Sequence, residues 1–153
     1  EEVMAWWGKQ APDWSELRTE ALTLLQREDR LQQIAKLVGP DVLPETQRWI
    51  LFVAQILKDG FLTQSAYDEK DMYCTPERQI ALLRIILTLY RKGRELIEAG
   101  VPLASVEGLS CVSQVLRAKS AYGNTELDRM TELERRVLEE LETLAKESTR
   151  QSG

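Results

Sequence analysis

The sequence predicts an all-α fold, a compact bundle of five to six helices, on three observations. Apolar residues recur with a 3.6-residue period through five successive segments. No segment sustains the strict alternation of a strand, and Gly or Pro punctuates the segment ends. A chain of 153 residues with 43% hydrophobic content can bury one core, so residues 1–153 read as a single domain with a polar, disordered tail over about 147–153.

Asp13 with Glu16 forms a capping box behind Pro12 and opens the first helix. Its stripe is Leu17, Ala21, Leu24, Leu25, Leu31, Ile34, Ala35 and Val38, and Gly39-Pro40 ends it in the usual Gly-then-Pro order. Pro44 suits the first turn of a second helix that runs to about Asp59, with Gly60 as its stop. Trp49, Ile50, Leu51, Phe52, Val53, Ala54, Ile56 and Leu57 make that helix apolar nearly all round. It is therefore expected to be the buried central element.

Thr75-Pro76-Glu77 supplies an N-cap, a first-turn proline and an acid matched to the helix dipole. The third helix shows Ile80, Leu83, Ile86, Leu87, Tyr90 and Ile97 on one face and ends at Gly100. Gly93 inside it is either a tolerated weak point or a place where another helix approaches closely. After Pro102, a helix from about Leu103 to Lys119 carries Leu109, Val112, Val115 and Leu116. Tyr122-Gly123-Asn124 is a turn. Thr125 starts a final helix with Leu127, Met130, Leu133, Val137, Leu141 and Leu144, fading into the tail after Lys146.

Charge and composition exclude several classes. Lys and Arg total 20 against 25 Asp and Glu, a net charge of −5, which argues against nucleic acid as a partner and gives no attraction to anionic lipid. The longest apolar run, Trp49 to Leu57, is too short to span a membrane, so no direct membrane insertion is expected. Glu1 and Glu2 stand where a secretory signal would carry basic residues. Cys74 and Cys111 show no pairing motif, which fits a reduced, cytosolic setting. The chain has no histidine, which removes the commonest general base and metal ligand. Neither GxxxxGK[ST] nor GxGxxG occurs. Catalytic residues and a metal site are expected to be absent, and an independent enzyme is not expected.

Some features admit two readings. The leucine stripe of the final helix could seed a coiled coil, although packing onto the bundle is favoured over so few heptads. The acidic run Glu132, Glu134, Glu139, Glu140 and Glu142 reads as a solvated face. Trp6, Trp7 and Trp14 pack under the first helix or form a binding patch. Cys111 reads as a small buried hydrophobe. Phe61 and Tyr67, six residues apart at a helix end and its following loop, are either core rings or the walls of a slot for a planar ligand. The loop YDEKDMYC is polar yet flanked by aromatics, and loops on rigid scaffolds often carry function.

Three ordered segments carry a family resemblance over roughly Trp6 to Gly100. Leu37-Val38-Gly39-Pro40-Asp41-Val42-Leu43-Pro44 resembles the LVG-x-D-x-LP segment of the catalytic A subunit of archaeal and vacuolar-type rotary ATPases. Phe61 to Tyr67, continuing through Asp71-Met72-Tyr73-Cys74, resembles that family's FLxQNAF…VDxYC segment. Pro12-Asp13-Trp14 with Leu17-Arg18 and Leu24 to Glu28 resembles its PDWxxLRxEAMxLLQRE helix.

The resemblance implies the C-terminal helical domain of such a protein, with the nucleotide-binding domain outside this chain. It implies that Phe61, Ala66 and Tyr67 belong to the adenine pocket, Tyr67 standing where the family usually has Phe and Ser65 where it has Asn. It implies that the turn Gly39, Pro40, Asp41, Val42, Leu43, Pro44 and Glu45 contacts the rotating central stalk, and that Cys74 occupies a position of possible redox regulation. ATP or ADP with Mg²⁺ would be the ligand of the full subunit, none being held by this fragment alone. The partners implied are its own nucleotide-binding domain, the B subunit and the central-stalk subunit. The setting implied is cytoplasmic, on the peripheral side of a membrane complex that couples ATP chemistry to H⁺ or Na⁺ movement. The competing reading is a free-standing helical adaptor.

Overall fold

A computed structural model describes residues 14–59, 76–121 and 127–152. Its elements are α1 (Trp14–Val38), a 3₁₀ turn (Pro40–Val42), α2 (Glu45–Leu57), α3 (Pro76–Glu98), α4 (Leu103–Glu107), α5 (Ser110–Ala121) and α6 (Leu127–Ser152). No strand occurs among the described residues, as the period of the apolar residues predicts.

The stop signals at Gly39 and Gly100 act where they stand in the sequence, and the one at Gly60 lies outside the described residues. Gly39 takes φ +92°, a conformation that costs a residue with a Cβ, and its N–H donates to Ala35 O at 2.8 Å. Gly100 ends α3 in the same way with φ +107°, and the Val101 N–H reaches back to Leu96 O at 3.0 Å. The capping box at Asp13, the cap at Thr75 and the turn at 122–124 lie outside the described residues.

The centre of the bundle is α3, which packs on α1, α2, α4, α5 and α6. This corrects the expectation that α2 holds that place. In α2, Trp49, Ile50, Val53, Ala54, Ile56 and Leu57 are buried, but Leu51 and Phe52 are only half-buried and Gln55 is exposed. In α3, Leu82, Ile85, Leu89 and Leu96 are buried as well as the face formed by Ile80, Leu83, Ile86, Leu87, Tyr90 and Ile97. An apolar surface that wraps a helix needs neighbours on most sides, and α3 has them from Ile80 to Tyr90, while Arg91, Lys92, Glu95 and Glu98 in its last turns are exposed.

A second correction concerns the segment after Pro102. It breaks at Gly108 into α4 and α5 instead of running unbroken to Lys119. Both new N-termini are satisfied from other helices. Leu103 N donates to Glu45 Oε1 at 2.7 Å. Cys111 N and the Ser110 hydroxyl donate to Glu140 Oε1 and Oε2 at 3.0 and 2.8 Å. Helix starts leave N–H groups without intrahelical partners, and a carboxylate there also meets the positive end of the dipole. Glu140, expected on a solvated face, is thus turned onto the start of α5. Replacing Glu140 with Ala is expected to cost about 1–2 kcal/mol, the usual value of a lost cap. Thermal melting checks this, and an unchanged midpoint would remove the capping role.

The final helix packs on the bundle through Met130, Leu133, Val137 and Leu141, and continues past Lys146 to Ser152. The Thr149 hydroxyl donates to Ala145 O within that extension.

Candidate functional site

The end of the bundle formed by the α1–α2 connection is the most distinctive surface. Pro40, Asp41 and Val42 project there, Val42 being 68% exposed. The last turns of α1 add Leu37, 87% exposed, with Ile34 and Val38 beside it in sequence and also exposed. The apolar stripe places Ile34 and Val38 in the core, but burial of α1 stops at Leu31 because its final turns run beyond the packed part of the bundle.

Within the same turn Leu43 faces inward while Pro44 is exposed, which corrects the expectation that all of Gly39–Glu45 stands free. Leu43 is buried, and its carbonyl accepts from Arg48 Nε at 3.2 Å. Glu45 holds the start of α4. The turn is therefore an exposed apolar–acidic point on an anchored base.

Polar groups are matched along the seam between α1 and α3. Arg27 Nη1 and Arg94 Nη1 donate to the buried Tyr90 hydroxyl at 3.0 and 3.3 Å. Arg91 pairs with Glu20 at 3.4 Å and Arg94 with Glu98 at 2.8 Å. One charged pair lies deeper: Glu28, 5% exposed, meets Lys58 Nζ at 2.6 Å. It was not singled out from the sequence, although a signal was there. Glu28 falls in register between Leu24 and Leu31, where the stripe calls for an apolar residue.

Cys111 is fully buried, as its place on an apolar face predicts. Removal from water, with Glu140 nearby, pushes its thiol up to about 12, so it stays protonated and unreactive near neutrality. Phe61, Ala66, Tyr67 and Cys74, with Trp6, Trp7 and the Trp14 ring, lie outside the described residues. Among the described residues no group of His, Cys, Asp or Glu could hold a metal ion, and no helix is long and apolar enough to cross a membrane.

The arrangement is that of a helical domain whose α1–α2 end presents an exposed turn on an anchored base. Residues 4–106 match the family described as the C-terminal domain of V and A type ATP synthase, and the chain belongs to that family. It is similar to the V-type ATP synthase alpha chain of Halothermothrix orenii, 46% identical over 127 residues, which cover 83% of this chain and 22% of that relative. It is also similar to the A subunit of the A-type ATP synthase of Ignicoccus hospitalis, 37% identical over 146 residues, 94% of this chain and 24% of that relative. The corresponding protein of Methanopyrus kandleri is 37% identical over 150 residues, 97% and 25% respectively. The chain thus spans about a quarter of the length of these curated relatives.

Proposed function

We propose that this chain serves as the helical C-terminal domain of the catalytic A subunit of a V/A-type ATP synthase or ATPase. In this reading its Pro40–Val42 point bears on the rotating central stalk, and Phe61, Ala66 and Tyr67 line the adenine side of the nucleotide site. The nucleotide-binding domain and the neighbouring B subunit supply the phosphate, Mg²⁺ and catalytic contacts. The whole assembly couples ATP synthesis or hydrolysis to proton or sodium movement from the peripheral, cytoplasmic side of a membrane. Cys74 is a candidate for redox regulation in the same subunit.

The observation that carries the stalk contact is the exposed end formed by Leu37, Val38 and Val42 beside Asp41. Apolar side chains on a rigid, anchored turn can press on a moving surface without the domain itself deforming. Replacing Leu37 and Val42 together with Asp in the whole complex should preserve ATP hydrolysis and lower the ions moved per ATP. The domain's melting should change little, because neither side chain contributes to the core. An unchanged ion-to-ATP ratio would remove the stalk role. The purified 153-residue chain alone is expected to show no ATP turnover, since phosphoryl transfer depends on phosphate and Mg²⁺ contacts. Turnover by a chain free of contaminating ATPase would overturn the assignment of catalysis to the rest of the subunit.

A further inference from the structure

We infer that the groove between α1 and α3 is an oxyanion site, which takes one phosphate or carboxylate group on Arg27, Arg94 and the Tyr90 hydroxyl. The groove has a volume of about 380 Å³, and Leu24, Arg27, Tyr90, Arg91 and Arg94 are among the residues that line it. Tyr90 belongs to the core face of α3 and is 4% exposed, so packing holds its ring in place. Its hydroxyl oxygen accepts from Arg27 Nη1 at 3.0 Å and from Arg94 Nη1 at 3.3 Å. A phenol also has one O–H to donate. With two donors already on the oxygen, that proton turns away from both, and no described residue accepts it. An acceptor placed in the groove beside the two guanidinium groups would answer it.

The charges of the groove leave room for such an acceptor. Arg94 pairs with Glu98 at 2.8 Å, Arg91 with Glu20 at 3.4 Å and Lys92 with Glu95 at 3.9 Å. Every acid lining the groove is thereby answered by a base. Arg27 is exposed and makes no ion pair among the described residues. Its bond to Tyr90 commits one N–H of a planar fork that has five.

That fork matches the edge of a carboxylate or phosphate, which can take two parallel N–H bonds at once. Leu24, 1% exposed, gives the groove an apolar wall, beside which a charge-assisted bond is screened less than in open water. One uncompensated cation, a buried O–H without an acceptor and an open guanidinium edge together define the ligand. It is a small anionic group with paired acceptor oxygens.

The test titrates the full 153-residue chain with potassium phosphate, potassium acetate and, at matched ionic strength, potassium chloride. NMR follows the Tyr90 ring and the arginine Nε–H groups. Phosphate, acetate or both are expected to move the Tyr90 and Arg27 signals saturably, half-saturating at about 1–10 mM, as suits a few charge-assisted bonds on an open groove. Chloride should give no saturable shift. Arg27→Met should raise the half-saturating concentration about tenfold, the loss of one charged hydrogen-bonding partner. Arg27→Lys keeps the charge without the fork and should recover only part of that loss. Tyr90→Phe, read at Arg27, should also weaken binding, while Arg30→Met, on the same helix but outside this groove, should bind as the parent does. Saturation by phosphate alone assigns the site to phosphate groups, and saturation by acetate assigns it to carboxylates as well. No saturation by either anion, an equal response to chloride, or an Arg27→Met chain that binds no worse than Arg30→Met would overturn the inference.

Discussion

Gly93→Ala is expected to destabilise this chain, although in an exposed helix the same change stabilises by about 1 kcal/mol. A Cβ at Gly93 would stand 2.6 Å from Trp49 Cε2 and 2.9 Å from Nε1, and closer still to Cζ2. The indole has little room to yield. Trp49 is fully buried, its ring stacks on Phe52 with centroids 5.5 Å apart, and its Nε1 donates to Tyr90 O at 3.1 Å. The α2–α3 contact is thus set by one large ring lying against a glycine. Overpacking at such a site costs roughly 2–3 kcal/mol, or roughly 5–10 °C in Tm for a domain of this size. Gly93→Val should cost more, since β-branching also opposes the helix. A double-mutant cycle makes the mechanism specific: in a Trp49→Phe background the penalty of Gly93→Ala should shrink, because the two sites share one contact. A Gly93→Ala chain that melts at or above the parent temperature would show that the helices are free to move apart.

Gly93 also shows where sequence reasoning stops. Its position inside a helical pattern marks it as unusual, but both a weak point and a close approach leave the same letter. Only the partner ring separates them. The first helix and its stop were legible because the signals are local: a stripe, then Gly39 and Pro40. The break at Gly108 was not, because the cap that stabilises the second half comes from Glu140, about thirty residues further on. Rank among apolar helices was equally hidden. Trp49 to Leu57 looks the more hydrophobic run, yet α3 is enclosed on more sides, and enclosure depends on how many helices surround an element. The functional end was half legible. Its segment could be matched by motif, while the inward lock of Leu43 and Glu45 and the bare end of α1 depend on how far the bundle extends. Glu28 stood at a core register from the start, and what it needed was a partner about thirty residues away.

On the adenine reading proposed above, Tyr67→Ala in the complete subunit is expected to raise the KM for ATP by roughly 5- to 150-fold, the effect of losing one aromatic–base stack at about 1–3 kcal/mol. Tyr67→Phe should change little, because stacking uses the ring face and the hydroxyl takes no part in it. The split between KM and kcat carries the test. Adenine is remote from the transferred phosphoryl group, so the stack contributes equally to the ground and transition states, and its loss falls on KM with kcat largely preserved. A residue that merely supported the core would behave differently, lowering stability and the amount of folded enzyme, with Tyr67→Phe as the only mild variant and no preference for KM. Measuring KM and kcat for both variants beside their melting temperatures separates the two roles. An unchanged KM in a stably folded Tyr67→Ala protein would withdraw Tyr67 from the adenine pocket and leave the resemblance at that position without a function.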